Sequence, residues 1–372
     1  MIKFENVAKR YGDTTVVKGL NIEINDAEIA VLIGPSGCGK TTTLKMINRL
    51  IEPSSGAIYI NDQNILKADP IELRRNIGYV IQQIGLFPHM TVGQNIGLIP
   101  TLKDWPEDKK NARIKELLEL VGMPPEEYMN RYPNELSGGQ QQRIGVARAL
   151  AADPEIILMD EPFSALDPLT RAQLQDELFN LQQELHKTIV FVTHDMDEAL
   201  KLGDRICIMK DGEILQFDTP ENLLRHPSHG FVEEFIGKKR MWQQPEYIKA
   251  EDIMITNPIK ATPNRTLTQA LEIMSSSSVD SLIIVDDKNK LLGIVTAKQV
   301  RSNANKARRL EEIYERDILS VKLDDSMADI LKLMAQNDIG YVPVTDEQGR
   351  LRGLITRSSL VNVLGDKYVG EE

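Results

Sequence analysis

The stretch Gly34–Thr42 reads GPSGCGKTT and fits G-x-x-x-x-G-K-S/T, with Gly34, Gly39, Lys40 and Thr41 in the fixed places. Residues of these types at this spacing can hold phosphate. Glycines let the backbone curl so that successive N–H groups point at phosphate oxygens, and a following helix N-terminus adds a positive dipole end. Lys40 would reach the β- and γ-phosphates, and the Thr41 hydroxyl would bind Mg²⁺. The motif needs a strand before it and a helix after it. Ile29–Ile33 reads as a buried strand, and Thr42–Leu50 as a helix with Leu44, Ile47 and Leu50 on one face. A glycine-rich turn ahead of an ordinary helix would share the local pattern.

Further groups could act on the same phosphates. Leu136-Ser137-Gly138-Gly139-Gln140 places a hydroxyl and two glycines ahead of a helical pattern, Gln141–Leu150, apolar at Ile144, Ala147 and Leu150. This is a second phosphate-facing helix start, or else a helix capped by Ser-Gly. Two such ends beside one phosphate loop suggest that they serve different nucleotides. Ile156–Pro162, IILMDEP, is a buried strand ending in two carboxylates. Side chains alternate along a strand, so Asp160 and Glu161 cannot do the same job. One can hold the Mg²⁺ shell while the other faces the γ-phosphate and polarises water. Of His89, His186, His194, His226 and His229, His194 alone follows an apolar strand, Thr188–Thr193, at the end where ligands gather in open α/β sheets. Tyr11, in the turn Tyr11-Gly12-Asp13, is a plain turn aromatic or a stacking partner for adenine.

The elements that must position these groups read as an α/β chain. Ile2–Val7 and Val16–Ile24 alternate as strands, Ala57–Ile60 is a short strand, and Ile77–Ile81 runs into Gln82. From Gln82 to Leu98 the chain is punctuated by Gly and Pro around Leu86 and Phe87, a packing corner or a docking surface. Helical patterns follow over Glu107–Val121 and Pro168–His186, with a strand at Arg205–Lys210. A length of 372 residues suggests two or three domains. Hydrophobic content of 41% with 27% charged residues is that of a soluble globular protein. The net charge of −11 speaks against nucleic-acid binding by bulk charge. No apolar run approaches the ~18 residues of a membrane span, and MIKFENVAKRY lacks a signal-peptide core. The two cysteines, Cys38 and Cys207, have no metal-ligand spacing and exclude a disulfide framework. A cytosolic chain, serving a membrane only as a bound partner, is the expectation.

Taken together, these residues resemble the ATPase subunit of ATP-binding-cassette transporters over residues 1–240. The resemblance implies a P-loop ATPase domain with a RecA-like core, an antiparallel β subdomain and a helical subdomain. It places ATP on Tyr11, Gly34, Pro35, Ser36, Gly37, Cys38, Gly39, Lys40, Thr41 and Thr42. It places Mg²⁺ on Thr41, Gln82 and Asp160, and makes Glu161 the catalytic base beside Gln82 and the switch histidine His194. Ser164–Asp167 is similar to the D-loop, with Asp167 its acid. A head-to-tail homodimer follows, each ATP lying between one chain's phosphate loop and the other's Ser137, Gly138, Gly139 and Gln140. Integral-membrane permease subunits would dock near Ile84–Phe87, with a solute-binding protein in the same complex, on the cytoplasmic side of the cell membrane. No nucleic-acid polymer is expected: cassette ATPases of ribosomes or DNA usually carry two cassettes or a coiled-coil insertion, and neither is seen here. A mainly regulatory nucleotide-binding role is argued against by the intact catalytic residues.

Pro220–Lys249 reads as a helical connector (residues 241–250 forming the linker proper) with Phe231, Phe235 and Trp242 packed. Beyond it the chain repeats at an offset of 60: Ala270 matches Ile330, Met274 Met334, Leu282 Val342, Asp286 Asp346, Gly293 Gly353 and Thr296 Thr356. Each unit reads helix, strand, turn, strand, helix, and two such units should pack as a pair. They resemble a tandem of CBS domains, residues 251–309 and 310–368, which bind adenine nucleotides. GIVTAKQ and GLITRSS echo the family's G-h-h-T-x-x-D, with Gln299 and Ser359 where a ribose-holding Asp usually stands. A cyclic dinucleotide such as cyclic di-AMP, at a junction between two such pairs, is an alternative. Tyr341 would stack on a base, Arg357 would pair with phosphate, and Ile259, Val279, Ser281 and Leu354 would line the pocket. A structural dimerisation or ionic-strength-sensing module is another. Lys298, Arg301, Lys306, Arg308 and Arg309 form a basic stretch, either a solvated face or one suited to anionic headgroups. The cassette with a CBS pair, and IPTLKDW at Ile99–Trp105, resemble importers of glycine betaine, carnitine or choline.

Overall fold

The computed structural model describes residues 1–82, 85–164, 166–228, 230–237, 240 and 244–361. Ile84, Ala165 of the Ser164–Asp167 stretch, His229, Trp242 and residues 362–368 lie outside the described residues. The chain divides into two compact units, the first ending at Ile236.

In chain order the strands of the first unit are β1 (Ile2–Tyr11), β2 (Thr14–Ile24), β3 (Ile29–Ile33), β4 (Ser55–Ile60), β5 (Gln63–Asn64), β6 (Ile77–Val80), β7 (Ile156–Asp160), β8 (Thr188–Thr193), β9 (Arg205–Lys210) and β10 (Glu213–Asp218). They form an antiparallel sheet, β2-β1-β4-β5, and a six-stranded sheet, β10-β9-β3-β8-β7-β6. Neighbours from β9 through β6 run parallel. The sequence explains why: β3 (IAVLI), β7 (IILMD) and β8 (TIVFVT) are buried at every position. Unbroken apolar runs of this kind belong inside a parallel sheet covered on both faces. Burial of each such Ile, Val, Leu or Phe contributes about 1.5–3 kcal/mol. Parallel neighbours need crossovers, and the helices Lys40–Ile47, Pro168–Leu185 and Met196–Leu202 lie within them.

Register then sets the site. Ile33 pairs with Thr193, Val192 with Asp160, and Met159 with Val80. The carboxyl ends of β3, β8, β7 and β6 therefore finish level, bringing together the phosphate loop, His194, the Asp160–Glu161 pair and Gln82. Between β6 and β7 the chain inserts a helical region that includes Val92–Ile96, Glu107–Leu120 and Gly138–Leu150. The connector, expected as helix over Pro220–Lys249, is broken after Arg225: its helices among the described residues include Pro220–Arg225 and Gly230–Ile236, the latter followed by Gly237, whose φ of 91° suits glycine. Phe231 and Phe235 do pack, their rings stacked with centroids 5.5 Å apart.

The second unit holds two three-stranded sheets: β11 (Lys260–Ala261), β12 (Ser281–Val285) and β13 (Leu291–Thr296), then β14 (Val321–Lys322), β15 (Tyr341–Thr345) and β16 (Leu351–Thr356). Helices Leu267–Ser276 and Met327–Gln336 repeat the offset, burying Leu267, Ala270 and Met274 in one and Met327, Ile330 and Met334 in the other. The segments leading into the repeats are exchanged. Ile255 bridges to Leu354 of the second repeat, and Glu315 bridges to Ile294 of the first. Ile248, Ala250 and Ile253 accordingly join the core of Ile330, Val342 and Ile355. A Cβ on Gly293 would overlap the Glu315 carbonyl, and one on Gly353 would overlap Met254. The matched glycines mark those two crossings.

Candidate active site

The phosphate loop is held by close approach. A Cβ on Gly34 would overlap the Met209 carbonyl, and Gly39, with φ 103°, sits against Val16. Lys40 is 7% exposed and donates to the carbonyls of Gly34 (2.7 Å) and Pro35 (3.1 Å) within the loop. Thr41 Oγ1 donates to Asp160 Oδ1 at 2.8 Å. Cys38 turns its thiol into the core, where burial pushes it up from its ordinary range.

Glu161 takes a left-handed backbone, φ 45°, with its N–H bonded to the Val192 carbonyl at 3.0 Å. Non-glycine residues in that region cost roughly 1–3 kcal/mol and cluster at functional sites. The turn presents the carboxylate to two partners at once: Gln82 Nε2 donates to Oε2 at 3.0 Å, and His194 Nδ1 lies 3.3 Å from the same oxygen. Asp160, one residue earlier, is buried, and that burial raises its carboxyl above the usual range, while the Thr41 hydroxyl pulls it down.

Ser36, Gly37, Gly39, Lys40, Thr41, Thr42, Gln82, Glu161 and His194 line one cleft of about 650 Å³ with Val16. Val16 was not among the sequence candidates; it sits on β2, and its half-buried place in an alternating strand carries no signal of a site. Tyr11 stands outside the lining, 48% exposed, with Lys9 Nζ 5.0 Å from its ring centroid. The donor set fits a nucleoside triphosphate with Mg²⁺. Backbone N–H groups and Lys40 would meet phosphate, while Thr41 and Asp160 would offer oxygens to a hard cation. Among the described residues no cluster of three or more His, Cys, Asp or Glu could hold a metal alone. The cation would take phosphate and water oxygens as well.

Ser137, Gly138, Gly139 and Gln140 are not in this lining. Ser137 and Gln140 close a capping box at the head of Gly138–Leu150: Ser137 Oγ accepts the Gln140 N–H at 3.3 Å, and Gln140 Oε1 accepts the Ser137 N–H at 2.9 Å. Nothing lies within 4 Å of a Cβ built on Gly138. Its own fold does not demand glycine there. Asp167 caps the helix Pro168–Leu185, accepting from the Thr170 N–H at 3.1 Å.

Phe87 is 41% exposed and lines a separate cleft of about 270 Å³ with Tyr79, Ile81, Leu98 and Ile99. The buried Asn95 holds its backbone, accepting from the Phe87 N–H (2.8 Å) and donating to the Phe87 carbonyl (3.1 Å).

In the second unit, Ser281 and Tyr341 share a cleft of about 710 Å³ with Asp280, Thr296, Ala297, Lys298, Arg301 and Ser302. The other four regulatory candidates are not in its lining. Ile259 and Val279 pack against the first repeat's core, and Leu354 exchanges backbone bonds with Ile255. Arg357 pairs with Asp338 at 2.9 Å. Gln299 and Ser359 both cap helices, Gln299 accepting the Thr296 N–H at 2.8 Å and Ser359 the Thr356 N–H at 2.9 Å.

Residues 17–164 match the family model described as ABC transporter, and residues 250–305 and 310–366 match the CBS domain. The chain is 54% identical to the glycine betaine/carnitine/choline transport ATP-binding protein OpuCA of Bacillus subtilis (strain 168), covering 100% of this chain and 98% of that protein. It is 41% identical to the osmoprotectant import ATP-binding protein OsmV of Salmonella typhimurium, over 98% of this chain and 96% of that one. The dimeric ATP-binding cassette MJ0796, in a post-hydrolysis state bound to ADP and Pi, is 38% identical, with a TM-score of 0.54, covering 59% of this chain and 99% of its own.

Proposed function

The chain belongs to the ABC transporter ATP-binding subunits of quaternary-amine osmoprotectant importers, and from that premise we propose that it powers uptake of glycine betaine, carnitine or choline under control of its C-terminal pair of CBS domains. It is an ATPase coupled to transport, uses ATP and Mg²⁺, and works as a cassette dimer with permease subunits. The solute class is supported by one observation above all: the 54% identity spans the whole chain rather than the cassette alone.

The residues of the cleft divide the work. Lys40 exchanges the carbonyls of Gly34 and Pro35 for phosphate oxygens, and the loop N–H groups fix the chain of phosphates. Thr41 and Asp160 would hold Mg²⁺, which neutralises phosphate charge when bound. Glu161 takes the proton of the attacking water, while Gln82 and His194, both on its Oε2, set its direction. Ser137–Gln140 of a second copy would complete the cleft, and Tyr11 would meet adenine at its edge. Phe87 and its neighbours are a docking surface for the permease. A solute-binding protein completes the complex, with this chain peripheral on the cytoplasmic face. Among the described residues no helix is long and apolar enough to cross a membrane.

For control, cyclic di-AMP fits the chemistry of the cleft at Tyr341: an aromatic face for a base, and Lys298 and Arg301 for phosphate. Two measurements test the reading. The tagged full chain should co-purify with an integral-membrane permease and, in vesicles, drive ATP-dependent betaine, carnitine or choline uptake; absence of any membrane partner contradicts it. Calorimetry on the full chain should show cyclic di-AMP binding that Tyr341→Ala removes. Heat with AMP or ATP alone, or binding indifferent to Tyr341→Ala, contradicts the assignment of that ligand.

A further inference from the structure

Arg171 lies in the first turn of the helix Pro168–Leu185 and reaches in two directions. Its Nη2 donates to the Leu166 carbonyl at 3.1 Å, in the loop leading from Glu161. Its Nη1 faces Asp195 Oδ2 at 3.9 Å, and its Nε faces Glu198 Oε1 at 3.8 Å. That Nε is buried and has no hydrogen-bond partner. Glu198, itself buried, accepts from Thr193 Oγ1 at 2.6 Å and from Gln175 Nε2 at 3.3 Å. Thr193 Oγ1 in turn accepts the Asp195 N–H at 3.0 Å. Both neighbours of His194, Thr193 and Asp195, thus belong to a network whose far end is the Leu166 carbonyl.

The geometry is incomplete in a specific way. A buried guanidinium N–H without an acceptor is costly, and burial raises the Glu198 carboxyl above its ordinary range. A movement of about 1 Å would bring Nε into hydrogen-bond distance of Glu198. The planar fork of arginine can make that bond while keeping the one to Leu166.

We infer that Arg171 and Glu198 are positioning residues that couple the loop at Leu166–Asp167 to the turn carrying His194, so that a shift of one re-aims the other at Glu161. The inference rests on Glu161 and His194 being the catalytic pair. Tests use the full chain with Mg·ATP and the variants Arg171→Gln, Arg171→Lys, Glu198→Gln and Arg171→Gln/Glu198→Gln. Each single variant should lower kcat by about tenfold to about a hundredfold, the range of one charged hydrogen bond. KM for ATP should stay within about twofold, since nucleotide contacts are untouched. The double variant should be no slower than the slower single one, because residues acting as one unit are not additive. Arg171→Lys keeps the charge but not the fork, and it should fall as well; it serves if Arg171→Gln fails to fold. Wild-type kcat in the Arg171 variants, a change in KM alone, or a double loss equal to the product of the singles overturns the inference. Glu161→Gln measured alongside separates the two levels: normal turnover there removes the catalytic reading itself.

Discussion

The Nδ1 of His194 lies 3.3 Å from Oε2 of Glu161, the same oxygen that accepts the Gln82 amide at 3.0 Å. A carboxylate oxygen held between two side chains keeps its direction for taking a water proton. Glu161→Gln should bind ATP as the parent does, while turnover falls by about a hundredfold to about ten-thousandfold, the usual range for a lost general base. ATP-bound dimer should then accumulate on a sizing column. Hydrolysis at the parent rate would show that the base lies elsewhere.

Asp160 carries an opposite tension between stability and function. Burial raises its carboxyl, so the unfolded chain gives up the proton first, near the ordinary value of 3.8. As pH rises above that value the folded state holds more protons than the unfolded one, and stability declines. Asp160→Asn should therefore melt higher than the parent at neutral pH, by roughly 2–4 °C for each kcal/mol recovered, with Mg²⁺-dependent turnover lost. Thermal melts at several pH values check this. An equal or lower Tm at neutral pH contradicts it.

Phe87 offers a separable surface. Its backbone is fixed by Asn95 while a large part of its ring stays exposed. Phe87→Ala should leave ATP turnover of the chain by itself within about twofold and lower permease-coupled uptake by at least about tenfold, as for an aromatic anchor. Equal losses in both assays would mean that Phe87 only packs.

Legibility followed sequence distance. The phosphate loop could be read because glycines, Lys40 and Thr41 sit within one local turn. The unbroken apolar runs of β3, β7 and β8 announced buried strands for the same reason. What joins them could not be read: no local signal sets the order β3-β8-β7-β6 that puts Gln82 and His194 on one oxygen of Glu161. Val16 reaches the cleft through strand pairing, and Arg171 meets Glu198 across two helices; in the linear chain the first is one position of an alternating strand and the other two are charges on separate helices. The repeat offset of 60 showed two similar units, but the exchange of Met254 and Tyr314 over Gly353 and Gly293 is a property of the packed pair. The same is true of Arg357, which pairs with Asp338 and is not in the lining of the Tyr341 cleft.

In the proposed function one chain supplies half of a turnover site. Gly138 is the position to probe, because a Cβ built there has nothing within 4 Å in its own fold. Gly138→Glu should fold and bind ATP normally yet be nearly inactive alone, since its carboxylate would face phosphate held by a second copy. Lys40→Ala should also be inactive, for lack of a working phosphate loop. Mixed, the two variants should regain about a quarter of parental turnover, because about half of randomly paired two-fold dimers are mixed and each carries one intact site. Parental activity in Gly138→Glu alone, or a mixture as inactive as its components, would show that each chain turns ATP over without a second copy.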